Sequence, residues 1–202
     1  MLKTAFQFIE SEINKFMLAR EANSFSTQPV LLTNLVERDG TVVNQPAHIY
    51  MTLTHLEEER LENKQAIYQH NRIGGQFQVF QPPIRLNAYV LFSAVNRSYP
   101  SALNTLSLIS IFFQHYNVFK SNQYPNLNNR TDSIDRPWSR VEELTAQLFT
   151  ITYEQQSYMW SCLGAKYSPS LLYKFRLLVV FDQETEHEAS PILEGANSET
   201  AI

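Results

Sequence analysis

Residues 47–60 read AHIYMTLTHLEEER, and the reading of this run decides the architecture of the chain. Ile49, Met51 and Leu53 alternate with Thr52 and Thr54. A period of two predicts a β-strand with one buried face. Continued, the alternation sets Glu57 and Glu59 on the face of Leu53, and Glu58 and Arg60 on the opposite face. The strand is therefore expected to run past the body of its sheet before the charges begin. Consecutive glutamates on a strand do not converge. That argues against a pair of acid–base carboxylates, and against the oxygen cage that a metal ion needs. A charged contact surface or a solvated loop fits the run better.

Three further apolar runs flank a sheet. PPIRLNAYVLFSAV (82–95) reads as a long interior strand behind a proline break, VEELTAQLFTI (141–151) as another, and LLYKFRLLVVF (171–181) as a last strand buried on both faces. VLLTNLVERDGTVVNQ (30–45) predicts a strand, an Asp39-Gly40 turn and a short return strand. KQAIYQHNRIGGQFQVFQPP (64–83) is ambiguous between a strand edge and a loop at Gly74-Gly75.

Helices alternate with these strands. Leu2, Ala5, Phe6, Ile9, Ile13, Phe16 and Met17 recur at helical spacing and predict a helix over 2–19. Ser98 or Pro100 opens a second, in which Leu103, Leu106, Ile109, Ile111, Phe112 and Phe113 cover much of the circumference. Thr152 with Gln155 forms a capping box for a short third helix that ends near Gly164. The fold class expected is a single α/β (α+β) domain over 1–181, a mixed β-sheet packed by two main helices and a short third one.

Composition narrows the function. Of the 202 residues 44% are apolar, enough for a substantial core, and the net charge is −4. Six of the 20 acidic residues and none of the 16 basic ones lie in 182–202. This stretch reads as a flexible acidic tail or a partner-binding extension, and the rest is nearly neutral. No basic stripe points to nucleic acid. No apolar run is long enough to insert in a membrane, and Glu10 and Glu12 interrupt the apolar N-terminus too early for a signal peptide. A single cysteine, Cys162, rules out an internal disulfide, and the cytoplasm is the expected place of folding.

Chemistry-bearing motifs are sparse. His48, His55, His70, His115 and His187 show no metal-ligand spacing, and the lone Cys162 reads as a buried structural thiol. Gly74-Gly75 is not followed by a Walker lysine, and no GxSxG elbow occurs. Asn96-Arg-Ser98 and Asn129-Arg-Thr131 are chance sequons. Phe112, Phe113, Trp160 and Tyr173 read as core. No catalytic residue, cofactor or metal ligand is assigned.

The blocks NLVERDG, IYMTLTHLEEERLENK, PPIRLNAYVLFSA, YPSALNTLSLISIFFQ and LTAQLFTITYEQQSYMWSCLGAKYSPSLLYKFRLL, taken in this order, resemble the tail-terminator or cap family of extracellular contractile injection systems. These include the Photorhabdus virulence cassettes and the antifeeding prophage. LEEER beside PPIRLNAYVLFSA, and W-x-x-L-G-x-K-Y-x-P-S from Trp160 to Ser170, carry most of the likeness, which spans roughly 1–181. The polar segment 120–140 and the acidic tail depart from it.

The resemblance implies a non-enzymatic structural protein. It would be a homo-hexameric ring that ends the inner tube and the contractile sheath opposite the baseplate, assembled in the cytoplasm and carried in the particle. Its partners would be the sheath protein and the inner tube protein, with room for a second cap paralogue. Ring closure uses heterologous interfaces, and an edge strand can accept an extended arm from a sheath subunit. Glu57, Glu58, Glu59 and Arg60 are assigned to a subunit or sheath interface, and Arg72 and Arg85 to contacts with acidic partner groups. The alternative is an adaptor that links the particle end to another protein or a membrane anchor through 120–140 and the tail.

Overall fold

A computed structural model describes residues 2–21, 25, 28–37, 39–59, 67–70, 77–80, 84–94, 98–128, 139–181 and 188–189. In chain order the elements are α1 (Leu2–Arg20), β1 (Val30–Leu32), β2 (Ile49–Glu58), β3 (Ile67–His70), β4 (Phe77–Phe80), β5 (Ile84–Ala94), α2 (Tyr99–His115), β6 (Val118–Lys120), β7 (Ser139–Leu148), α3 (Tyr153–Leu163), β8 (Ser170–Phe181) and β9 (Glu188–Ala189). A six-stranded sheet runs β1-β2-β5-β8-β7-β6, with β3-β4-β9 as a separate small sheet. The β1–β2 pair is parallel and the other neighbours in the large sheet are antiparallel. This is the mixed sheet with two main helices and a short third one that the pattern predicts.

The helices α1 and α2 cover one face. Ala5, Ile9, Ile13 and Met17 are fully buried along one stripe of α1. The regular spacing of four residues brings them onto the same side of the helix. They meet Ala88, Val90 and Phe92 of β5 and Phe175 and Leu177 of β8 in one contiguous core. Aromatic edges knit the layers. Phe6 meets Phe175 at 5.9 Å between centroids, Phe8 meets Phe119 at 5.6 Å, and Phe16 of α1 meets Phe112 of α2 at 5.4 Å.

Two polar residues of α1 do a different job. Buried Asn14 donates to the Val30 carbonyl at 2.9 Å and accepts from the Val30 N–H at 2.8 Å. Glu10 accepts from the Leu32 N–H at 2.9 Å. The outer edge of β1 is thereby closed by helix side chains, one of the ways a sheet blocks unwanted pairing.

The opposite face carries a second, smaller core. Tyr50, Leu91 and Leu172 of the sheet pack with Leu35, Val43 and Ala47 and with Trp160 of α3. The stretch before β2 turns at Asp39-Gly40, where Gly40 has φ +85° and Asp39 accepts from the Thr41 N–H and hydroxyl. The expected return strand is reduced to one bridge, Val36 to Val42. At α3 the capping box is formed as predicted, with Gln155 N–H donating to Thr152 Oγ1 at 3.2 Å and Thr152 N–H to Gln155 Oε1 at 3.0 Å. Such a cap contributes about 1 kcal/mol. Gly164 ends the helix in the left-handed conformation.

Several expectations need correction. Trp160 is the one buried residue of α3, and Cys162 is exposed rather than structural. Met159 and Leu163 beside Trp160 are only partly buried, and the opposite side of the short helix faces solvent. The strand β8 is not buried on both faces: Lys174 and Arg176 point to the second face beyond the small core, where Arg176 is 54% exposed. The polar segment 120–140 holds regular structure at both of its described ends. Val118–Lys120 pairs with β7, and a 3₁₀ turn at Pro125–Asn128 follows, where Asn128 bonds both Val141 N–H and C=O. Residues 129–138 lie outside the described residues, as do Gly74-Gly75 and most of the acidic tail. Within the tail, Glu188–Ala189 pairs with Phe77 and Gln78 of β4.

Candidate interaction surface

The charged end of β2 reaches its position through an irregularity. Leu53 pairs with Val90 and His55 with Tyr89, so Thr54 is an extra residue on β2, and its hydroxyl donates to the Tyr89 carbonyl at 3.0 Å. One extra residue reverses the alternation beyond it. Glu57 and Glu59 therefore face away from Leu53, onto the second face, and Glu58 faces the side of α1 and α2. The facing inferred from simple alternation is corrected in this way for all three.

On the second face Glu57 joins a network drawn from three strands. Glu57 pairs across the sheet with Asn87, and Asn87 with Arg176; one step along, His55, Tyr89 and Lys174 form a parallel row. Glu57 Oε1 accepts from the Tyr89 hydroxyl at 2.8 Å and from Asn87 Nδ2 at 3.3 Å, with Lys174 Nζ at 3.7 Å. His55 Nε2 lies 4.0 Å from Glu57 Oε2. Arg176 donates to Glu59 Oε1 at 3.1 Å. Lys174 also sits over the Tyr89 ring at 5.5 Å, and the ring of Phe149 meets Tyr89 edge-on at 4.9 Å. Beyond Phe149, α3 exposes Tyr153 and Tyr158, and Tyr167 follows it.

The hydrogen bond from Tyr89 holds the Glu57 carboxyl below the ordinary glutamate range, helped by Lys174, Asn87 and His55 against a smaller effect of burial. Tyr89 is pushed up, by burial first and by Glu57 second. A general acid needs the opposite shift of its carboxyl. Because the folded-state value is depressed, the network's contribution to stability is present above the unfolded-state value and lost as pH falls through the folded one. Replacing Tyr89 by phenylalanine keeps the ring and removes the donor. The carboxyl carbon of Glu57, followed by NMR against pH, is then expected to titrate at higher pH than in the wild type. An unchanged midpoint would show that the hydroxyl is not the cause.

Of the residues assigned from sequence, Glu57 and Glu59 are brought together, Glu58 is turned away, and Arg85 adjoins them on β5, its carbonyl accepting from the Glu59 N–H at 2.9 Å. Arg60 and Arg72 lie outside the described residues. Sequence reading missed His55, Asn87, Tyr89, Lys174 and Arg176. No local signal marks them, because strand pairing alone assembles them. Among the described residues no three His, Cys, Asp or Glu side chains gather in a set that could hold a metal ion, and no helix is long and apolar enough to cross a membrane.

The chain is similar to known proteins at the level of family and fold. It matches the solved sheath/tube terminator of an extracellular contractile injection system, PVC, in its extended state, with a TM-score of 0.51 and 15% identity over 95% of this chain and 62% of that one. The anti-feeding prophage cap, a tube terminating cap, matches with a TM-score of 0.48 and 13% identity over 90% of this chain and 58% of that one. This chain thus spans about three fifths of the structures it matches. No curated protein matches it. The model of the Pvc16 N-terminal domain matches residues 6–194, running past the strand β8 and into the acidic stretch, and the chain belongs to that family.

Proposed function

We propose that this chain is a non-catalytic structural domain that ends the inner tube and the contractile sheath of a phage-tail-like injection system, as part of a hexameric ring at the end away from the baseplate. The family match over 6–194 is the observation that carries this reading, and the likeness of fold to a sheath/tube terminator supports it. The Glu57 carboxyl, held ionised by the Tyr89 hydroxyl rather than kept protonated as a general acid must be, supports the non-catalytic part.

In this reading the body is residues 1–181, and 182–202 form an acidic extension that reaches back to β4 through Glu188–Ala189. Glu57, Glu58, Glu59 and Arg60 lie at a contact with a neighbouring subunit or with sheath, and Arg72 and Arg85 meet acidic groups there. Charges in such a place fix register and reject wrong partners more than they add affinity. A partner strand that extends the large sheet has β6 as its docking edge, because Asn14 and Glu10 occupy the outer edge of β1.

The test mixes the purified chain with uncapped sheath–tube particles and images them by negative stain. Six-fold density on one end of each particle is the expected result. Uniform failure to bind either end, in a chain that stays monomeric at high concentration, would overturn the reading.

A further inference from the structure

We propose that the cluster of Glu57, Asn87 and Glu59 receives the guanidinium of an arginine that a partner protein presents. This rests on the reading of the β2 end as a contact surface, and it names the chemistry of what is contacted.

The cluster is rich in acceptors that lack donors. Asn87 is 3% exposed, yet among the described residues its Oδ1 has no hydrogen-bond partner, and neither has the buried Oε2 of Glu59. The amide of Asn87 is oriented by its own donation to Glu57 Oε1. Turning it over would set Oδ1 against that carboxylate, so the free acceptor stays in the cluster. Glu57 Oε2 has His55 at 4.0 Å, too long for a hydrogen bond. A buried acceptor without a donor is costly, and an arriving donor relieves that cost.

The shape of the cluster selects the donor. Residues two apart on a strand, such as Glu57 and Glu59, are separated by about 6.7 Å, and cross-strand neighbours by about 5 Å. One point charge cannot touch acceptors spread that far, whereas the planar fork of arginine carries five N–H donors and pairs with carboxylates through two at once. Among the described residues no three His, Cys, Asp or Glu side chains gather to hold a metal ion there instead. Arg176, the cross-strand neighbour of Asn87, is more than half exposed and bonded to one oxygen of Glu59. The incoming arginine then competes with it.

The experiment titrates the isotope-labelled full chain with N-acetyl-arginine methylamide, and with the citrulline and lysine analogues, by NMR. The arginine probe is expected to move the Asn87 side-chain amide and the backbone amides of Glu57, Tyr89 and Glu59 in a saturable way, citrulline to move none of them, and lysine to bind at least threefold more weakly. Arg176→Gln removes the competitor and should tighten arginine binding about threefold; Glu59→Gln should weaken it by a similar factor. The wild-type titration decides the matter even where a variant fails to fold. Non-saturable shifts, shifts away from the cluster, or equal shifts with citrulline would overturn the proposal. If probe binding fails while the chain still decorates particle ends, only this inference falls. If the probe binds and end decoration fails, the terminator reading falls instead.

Discussion

Phe175→Ala is expected to lower the stability of the domain by about 3–5 kcal/mol, the range for removing a fully buried phenylalanine. Phe175 is fully buried at the meeting point of three elements. Its ring contacts Phe6 of α1 at 5.9 Å, Phe113 of α2 at 5.6 Å and Phe92 of β5 at 6.4 Å. Truncation leaves a cavity that all three must collapse into, and close-packed layers on a sheet relax little. Against a total stability of about 5–15 kcal/mol, such a loss takes a large share. Urea unfolding followed by circular dichroism measures it. Leu148→Ala is the control, being 53% exposed at the end of β7, and should change stability by less than about 1 kcal/mol. Equal effects at the two positions would mean that the core is not where the layers are said to meet.

The second large effect concerns assembly. The double charge reversal Glu57→Lys, Glu59→Lys sets two ammonium groups beside Lys174 and Arg176, where two ion pairs stood. Binding to sheath–tube ends is expected to fall at least tenfold, equivalent to about 1.4 kcal/mol. Because both side chains are partly exposed, the fold should survive, which circular dichroism checks. Glu154→Lys, a reversal on the exposed side of α3, serves as the control and should leave end binding unchanged. A folded double variant that still caps particles at normal concentration would remove the β2 end from the interface.

What could be read beforehand was what short-range rules govern. The stripe Ala5, Ile9, Ile13, Met17 and the capping box of Thr152 with Gln155 involve neighbours within a turn or two, so spacing alone revealed them. The alternation of β2 was legible up to Leu53 and failed at Thr54. Threonine suits a regular strand and an irregular one alike, so the extra residue left no mark. Lys174 and Arg176 sit in an apolar run, and only the limited reach of the second core explains why they escape burial. The surface network was hidden for a different reason. Glu57 meets Tyr89 across 32 positions, and Glu59 meets Arg176 across 117. No pattern within a window of the sequence can report such pairs.

The place of β8 in the sheet has a consequence for synthesis of the domain. It lies between β5 and β7, bonded to both along most of its length, yet it is the last strand of the large sheet to leave the ribosome. Until it emerges, β5 and β7 each present a bare edge, and the pocket that Phe175 fills stands open. Early segments can gather as α1 against β1, or as β2 beside β5, but none of these groupings closes the core. Closure of the core therefore waits until residues 170–181 have emerged, and a nascent chain stalled before that point displays unpaired strands and apolar surface, the features that make such species prone to aggregate.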